Sequence, residues 1–392
     1  MTQVNAQMTT AGPSSPLATN AVPNASGLSD TSYIDGQTLY LGDGTHLGNA
    51  HLFTFVHQFL ALDLTTSWTT ASPAWKSLDR LTAYPGDNNG PLAATPDGKS
   101  VFFFPTNGTR RYDVASGQYT KETFVELPFS FADKGITTDT DAGLIYGFGG
   151  ASSTGDWNIT AFDPVKNSYT YQTISDGPSV TNTMTTVYSS AKKSFFTYKS
   201  PFRTGVSQLN QYDIAAKTFT PISATGAIPS PRKTPCFASA YNGTKLIIAG
   251  GAIDNSGTRA PVNPNLALDD VYMLDVPTMV WTKMASMPSK YYGGICAVSG
   301  DSFIIWGGYN TFSGDSVVIQ SNLGGPIVLD MKANSWGTVY TPSSKTSTGG
   351  NSNNNGGAGG SGNGSNSALN LSARNSIAGV LAVVAVTISI IM

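Results

Sequence analysis

Short apolar stretches punctuate this chain, and six of them end alike: an aspartate closes the stretch and an aromatic residue follows five or six positions later. The copies are FLALDLTTSW (Asp63, Trp68), RRYDVASGQY (Asp113, Tyr119), TAFDPVKNSY (Asp163, Tyr169), NQYDIAAKTF (Asp213, Phe219), YMLDVPTMVW (Asp275, Trp281) and IVLDMKANSW (Asp330, Trp336). Successive aspartates stand 50, 50, 50, 62 and 55 residues apart, so the pattern is an internal repeat. Each copy predicts two short strands joined by a tight turn. The aspartate accepts from its own downstream backbone N–H groups, and the aromatic opens the next strand.

Upstream of each copy lies a second hairpin, clearest in CFASAYNGTKLIIAGG (Cys236–Gly251) and ICAVSGDSFIIWGG (Ile295–Gly308). Its second strand ends in a glycine pair, Gly250–Gly251 or Gly307–Gly308. GLIYGFGG repeats the pair at Gly149–Gly150, TLYLGDG keeps it in part, and SVFFFPT and SFFTYKS lack it. Four strands per period of about fifty residues predict a propeller blade. The paired glycines leave room for close backbone approach near a shared axis.

These features resemble the kelch repeat, which combines a Gly-Gly pair, a later tyrosine and a tryptophan after a turn. The fullest match runs from Pro229 to Met284, as PSPRKTPCFASAYNGTKLIIAGG and DDVYMLDVPTMVWTKM; the second and fourth units match least. The resemblance implies an all-β, kelch-like β-propeller over residues 26–342, with six four-stranded blades. The blades are expected at 26–80, 81–128, 129–178, 179–229, 230–289 and 290–342. A seventh blade stays open as an alternative, with QMTTAGPSSPLATNAVPNAS supplying a closing strand.

Composition narrows the reading further. Only 12% of the 392 residues are charged, against about 25% in typical soluble domains, and 42 are glycine, which favours strands and turns. A net charge of −2 without any Lys/Arg run excludes a nucleic-acid backbone as partner. Two cysteines are too few for a disulfide scaffold or a four-thiolate zinc site. Cys236 and Cys296 fall at similar places in the first strands of neighbouring units. They either form a disulfide between blades or remain two buried thiols acting as small apolar residues.

The two ends differ from the middle. Residues 1–25 read as a disordered segment, 343–376 as a Ser/Gly/Asn-rich stalk and spacer, and 377–392 as an apolar tail. The tail's 16-residue run is short of the roughly 20 that span hydrocarbon. Small residues around Asn366, the spacer LNLSARNS and the tail together make a GPI-attachment pattern, with the lipid at Asn366 or within Asn363–Ser365. A short C-terminal membrane anchor is the alternative. Such a signal requires a translocated chain, yet MTQVNAQMTT has neither a basic n-region nor an apolar h-region. Val4 and Ala6 flank a cut before Gln7, which reads as the end of a signal peptide starting upstream of Met1. Sequons at Asn24, Asn107, Asn158 and Asn242 fit an exported glycoprotein.

The resemblance also brings in galactose oxidase and related copper-radical enzymes. Their site implies a cysteine cross-linked to tyrosine, a second tyrosine and two histidines gathered at the axis from separate blades. Here His46, His51 and His57 all fall in the first unit. On one strand His51 and His57 would stand about 20 Å apart, too far for one metal, so neither metal nor cofactor is expected. GxSxG, HExxH, P-loop and EF-hand patterns do not occur. The six repeat aspartates sit on equivalent turns of one rim and do not converge, so they are turn makers. Asp269 and Asp270 open the strand leading to Tyr272. Trp281 and Trp336 are expected between blades and Trp306 in the core, which leaves Trp157, in STGDWNIT, as the tryptophan placed to stack on a sugar.

In an up-and-down blade the loop after the second strand and the link to the next blade share one face. On that face the fifth and sixth units carry AIDNSGTRAPVNPNLALD and YNTFSGDSVVIQSNLGG, well beyond the usual connection of about 4 to 6 residues. Asp254, Asn255, Arg259, Tyr309, Asn310 and Phe312 there offer hydrogen bonds, charge and stacking surface to a glycan or protein ligand. The expectation is a non-catalytic cell-surface binding or adhesion module, outside the cell and held to the membrane by a lipid or the C-terminal segment. A secreted copper-radical carbohydrate oxidase and an intracellular kelch interaction scaffold are the alternatives.

Overall fold

The computed structural model describes residues 28–34, 38–47, 53–55, 59–78, 91–104, 109–121, 135–149, 157–174, 184–199, 208–232, 234–253, 267–291, 293–308 and 325–343. All of them belong to one compact unit, Met1–Ser344. Six sheets of four or five strands follow one another along it, with a two-stranded ribbon as a seventh. Blade one holds β1 (Leu28–Ile34), β2 (Thr38–Leu47), β3 (Phe53–Phe55), β4 (Phe59–Asp63) and β6 (Trp75–Ser77); β5 (Trp68–Thr69) leaves the sheet. Blade two is β7 (Leu92–Ala94), β8 (Ser100–Phe103), β9 (Arg110–Asp113) and β10 (Gln118–Lys121). Blade three is β11 (Ile136–Asp139), β12 (Leu144–Gly149), β13 (Trp157–Asp163) and β14 (Ser168–Ile174). Blade four is β15 (Met184–Ser189), β16 (Ser194–Lys199), β17 (Gln208–Asp213) and β18 (Thr218–Pro221). Blade five adds β19 (Thr225–Gly226) to β20 (Cys236–Ala240), β21 (Lys245–Ala249), β22 (Val271–Asp275) and β23 (Val280–Lys283). Blade six is β24 (Ile295–Ser299), β25 (Ser302–Trp306), β26 (Ile327–Asp330) and β27 (Ser335–Gly337), after which comes β28 (Val339–Tyr340). The fold is therefore all-β.

The first strand of each blade lies against the first strand of the next, in the order β1, β7, β11, β15, β20, β24, and β24 returns to β1. Six blades complete the circle. The core is six apolar clusters, one in each seam. Side chains alternate along a strand, so a strand between two blades feeds both. In β21, Leu246 and Ile248 pack toward blade four while Ile247 and Ala249 pack toward blade six. In β25, Phe303 and Ile305 face blade five while Ile304 and Trp306 face blade one. This two-sided burial explains the unbroken apolar runs KLIIA and SFIIW, which lack the alternation of a half-exposed strand.

The repeat aspartates make their turns as expected. Asp63, Asp113, Asp163, Asp213, Asp275 and Asp330 each accept, through Oδ1, one or two backbone N–H groups two or three residues on, at 2.7–3.0 Å. Four residues beyond each of the last five, the chain turns left-handed, at Gly117, Asn167, Lys217, Met279 and Asn334. The aromatic then stands opposite the residue before the aspartate: Tyr119 on Tyr112, Tyr169 on Phe162, Phe219 on Tyr212, Trp281 on Leu274, Trp336 on Leu329.

Blade one breaks this rule and corrects the expectation for Trp68. Opposite Leu62 stands Trp75, which opens the outer strand β6. Trp68 is instead in β5, paired with β28 from beyond blade six. That ribbon closes the ring of six blades, and the expected alternative of a seventh has no counterpart among the described residues. Tyr340 is fully buried in it, stacked on Trp68 with centroids 4.8 Å apart. Its hydroxyl donates to the Leu64 carbonyl at 2.8 Å and bonds the Ser299 hydroxyl of blade six at 2.8 Å. Gly325, entering blade six, has no room for a side chain: a Cβ would lie 1.8 Å from the Thr70 carbonyl oxygen beside β5.

Two further expectations shift. Residues 225–226, placed in the fourth unit, form β19 and pair in parallel with β23 on the edge of blade five. TLYLGDG does not end at its glycines, because β2 runs on to Leu47 and takes β3 as an extra partner.

Removing the Tyr340 hydroxyl by Tyr340→Phe should cost about 1–3 kcal/mol in urea unfolding, and Tyr340→Ala about 3–5 kcal/mol. An unchanged midpoint for Tyr340→Ala would mean that the ring closes without the ribbon. The turns also set the acid response. Lys245 and then Thr278 hold the Asp275 carboxyl at about 2, and Asp163 and Asp113 lie below the usual carboxylate range through bonds from Lys166 and Ser116 respectively. A depressed folded value gives stability that is complete above the unfolded value, about 4, and is lost as pH falls through the folded one. The urea midpoint should therefore be flat near neutrality and fall between about pH 4 and pH 2; a midpoint rising on acidification would contradict this.

Candidate functional site

The longest connections from second to third strand leave the rim of blades five and six, between Ala249 and Val271 and between Trp306 and Ile327. What holds their bases is a buried polar clamp. Gly250 and Gly251 take left-handed φ of 58° and 89° as the chain leaves β21, and a Cβ on Gly250 would lie 2.5 Å from the Tyr291 carbonyl oxygen. Gly250 meets both demands, conformation and closeness.

Arg232, in the link before β20, is 0% exposed. Its Nη1 donates to Asp270 Oδ1 at 2.6 Å and to the Gly250 carbonyl at 2.9 Å. Nη2 donates to Asp270 Oδ2 at 3.1 Å and Ser230 Oγ at 3.2 Å, and Nε to the Ser230 carbonyl at 2.9 Å. Tyr272 adds a hydroxyl donor to Asp270 Oδ2 at 3.0 Å, and its ring lies under the guanidinium at 5.4 Å. The fork geometry of arginine meets a carboxylate in two parallel bonds here.

Tyr291 continues the clamp toward blade six. Its carbonyl accepts from Gly251 N–H at 2.8 Å and its N–H donates to the Leu268 carbonyl at 2.9 Å. Its buried hydroxyl lies 3.3 Å from the Trp306 carbonyl and 3.4 Å from that of Ile295. Burial pushes the Tyr291 phenol well above its ordinary pKa, and burial with the neighbouring Asp270 raises Tyr272. Both phenols therefore stay neutral at physiological pH and act as hydrogen-bond donors. With its polar groups turned inward on one another, the cluster is scaffolding for the rim.

Beneath the rim Cys236 and Cys296 are joined in a disulfide, Cα to Cα 5.8 Å, which ties the innermost strands of blades five and six. Both sulfurs are thereby committed to each other. A cysteine–tyrosine cross-link has no cysteine left to form it, so these residues do not fit a copper-radical centre. Among the described residues no group of three or more His, Cys, Asp or Glu gathers in a metal-binding cluster.

The expected ligand contacts Asp254, Asn255, Arg259, Tyr309, Asn310 and Phe312 lie outside the described residues, as do Gly150, His51, His57, Asn24, Asn107 and Asn366. Gly149 ends β12. Trp157 opens β13 opposite Ile174, which puts it on blade three and away from the rim of blades five and six. Gly307 and Gly308 take left-handed φ of 74° and 81°. Trp281 is buried between blades four and five, Trp336 packs between five and six with its Nε1 donating to the Ala285 carbonyl at 3.1 Å, and Trp306 is buried between six and one. Arg232, Tyr291 and Tyr340 escaped the sequence reading. Arg232 had a faint signal, a lone arginine among prolines in PSPRKTP; the other two had none.

A kelch motif model matches residues 233–288, which span β20 to β23 of blade five and begin one residue after Arg232. No curated protein matches the chain. A solved structure described as that of YjhT superposes with a TM-score of 0.55 at 14% identity, covering 81% of this chain and 98% of that one. The chain thus carries a kelch motif and folds as a six-bladed, kelch-type propeller.

Breaking the clamp should be costly. Arg232→Met leaves Asp270 without its cation and should lose about 3–5 kcal/mol in urea unfolding, while pairing it with Asp270→Leu should recover much of that. Arg232→Lys should not rescue, since one ammonium cannot reproduce the fork. A single variant as stable as the parent would refute the role.

Proposed function

We propose that the protein is a non-catalytic binding module of the cell surface, which engages a protein or glycan ligand through the rim of blades five and six. The observation that carries this reading is the coincidence of three fixings under one rim. The two longest second-to-third-strand connections, the Arg232–Asp270–Tyr291 clamp and the Cys236–Cys296 disulfide all belong to the same two blades. Variable loops on a rigid base are the usual arrangement for recognition. Kelch propellers commonly bind protein partners, which favours the same reading, and a disulfide between first strands favours an oxidising compartment over an intracellular scaffold.

Treatment of expressing cells with a phosphatidylinositol-specific phospholipase should release the protein with its disulfide intact. The released protein should then bind components of a glycan array or a cell-surface protein library, and Asp254→Ala, Tyr309→Ala and Phe312→Ala should each weaken that binding without shifting the unfolding midpoint. Recovery from the cytosol with two reactive thiols would sink the proposal.

A further inference from the structure

We infer that Asn242 carries an N-linked glycan, that Asn158 does not, and that the sugar shields the turn face over the seam between blades four and five. The inference rests on the export proposed above. Both asparagines head the same tripeptide grammar, Asn-Gly-Thr and Asn-Ile-Thr, yet the fold treats them oppositely. Asn242 is at the centre of the turn Tyr241–Gly243 that joins β20 to β21, exposed, with φ 55° and ψ 34°. Its carbonyl is engaged by the Ala191 N–H at 3.0 Å, while its side-chain amide makes no hydrogen bond among the described residues. The hydroxyl of Thr244, the third residue of the sequon, donates back into the turn, to the Tyr241 carbonyl at 2.9 Å. The site is a protruding hairpin tip with its acceptor nitrogen in water.

Asn158 is half-buried in the third strand of blade three, between Gly149 and Thr173. Its Oδ1 accepts from Thr173 Oγ1 at 2.9 Å, and Thr160, the hydroxyl residue of that sequon, is 0% exposed. A sugar on Nδ2 would leave Oδ1 able to accept that bond, but it would be carried by a half-buried residue inside the strand ladder, so a chain modified at Asn158 would have to complete blade three around it. At Asn242 a sugar displaces nothing. It would stand beside the exposed Lys192 and Lys193, above the bond from Ser189 Oγ to the Gly243 carbonyl that pins the two blades at 2.7 Å. The turn face would then be closed to large partners at this seam, in keeping with ligand approach from the loop face.

The full chain, secreted from eukaryotic cells behind a grafted signal peptide, is deglycosylated with a peptide amidase in heavy-oxygen water and mapped by mass spectrometry. Asn242 should appear as labelled Asp and Asn158 as unlabelled Asn. Asn242→Asp keeps a residue that tolerates the left-handed turn. That variant should lose one glycan's mass and gain amine-reagent labelling at Lys192 and Lys193. Secreted protein bare at Asn242, or modified at Asn158, overturns the inference. The protein is also located in the cells that naturally express it. If that protein is cytosolic while the grafted chain carries sugar at Asn242 and none at Asn158, the export proposal fails although the difference between the two sites holds.

Discussion

Each blade of this protein buries both faces against its neighbours, and that requirement governs the rest of the structure. A sheet with two apolar faces cannot stop at an edge, because the last blade would expose one face to water at roughly 25 cal/mol for every Å². Six seams, each filled by alternate side chains of the strands on either side, leave no such face only if blade six reaches blade one. Closure is thus part of the core.

How closure is achieved has consequences for the chain's geometry. Among the described residues, all strands of blade six come from the segment Ile295–Gly337. The two-residue ribbon of β28 on β5 does the joining, with Tyr340 bound to both blade one and blade six. A second join, this one covalent, lies one seam away, where the disulfide holds blade five to blade six. The seams on both sides of blade six are thereby reinforced, and this blade carries one of the two longest connections. A rigid base beneath loops lowers the ordering cost of recognition, which is the physical content of preorganisation.

The two faces of the ring differ in the same terms. On the turn face short hairpins bond to one another across blades: Asp141 accepts from Tyr188 and Ser190, Gly243 from Ser189, and Asp301 from Tyr241. Those bonds fix the turns and keep them short. On the other face the connections differ in length from blade to blade, and in blade five their bases are clamped by groups drawn from outside the loop, Arg232 and Tyr291. Ionisable groups in the clamp are directed at one another, so the chemistry on display at the described rim is that of a support.

Much of this was legible in the amino-acid sequence wherever the interaction is local. An aspartate accepts from N–H groups two or three residues ahead, and an aromatic six residues on meets the residue before that aspartate; both follow from the hydrogen-bonding of a single turn. Repeating that turn six times determines the blade, the period and the all-β class. Where the chain departs from local rule, sequence pattern misled: Trp68 fits the repeat's spacing of five or six, yet Trp75 takes the strand position, because Trp68 has a better partner in Tyr340, far along the chain. The same holds for Arg232 with Asp270 and for Cys236 with Cys296, whose pairing the residues alone left open. By itself the sequence determined the hairpins, since their bonds close within a few residues. Tertiary structure alone decided the closure, the disulfide and the clamp, since each depends on which blades stand side by side once the ring is complete.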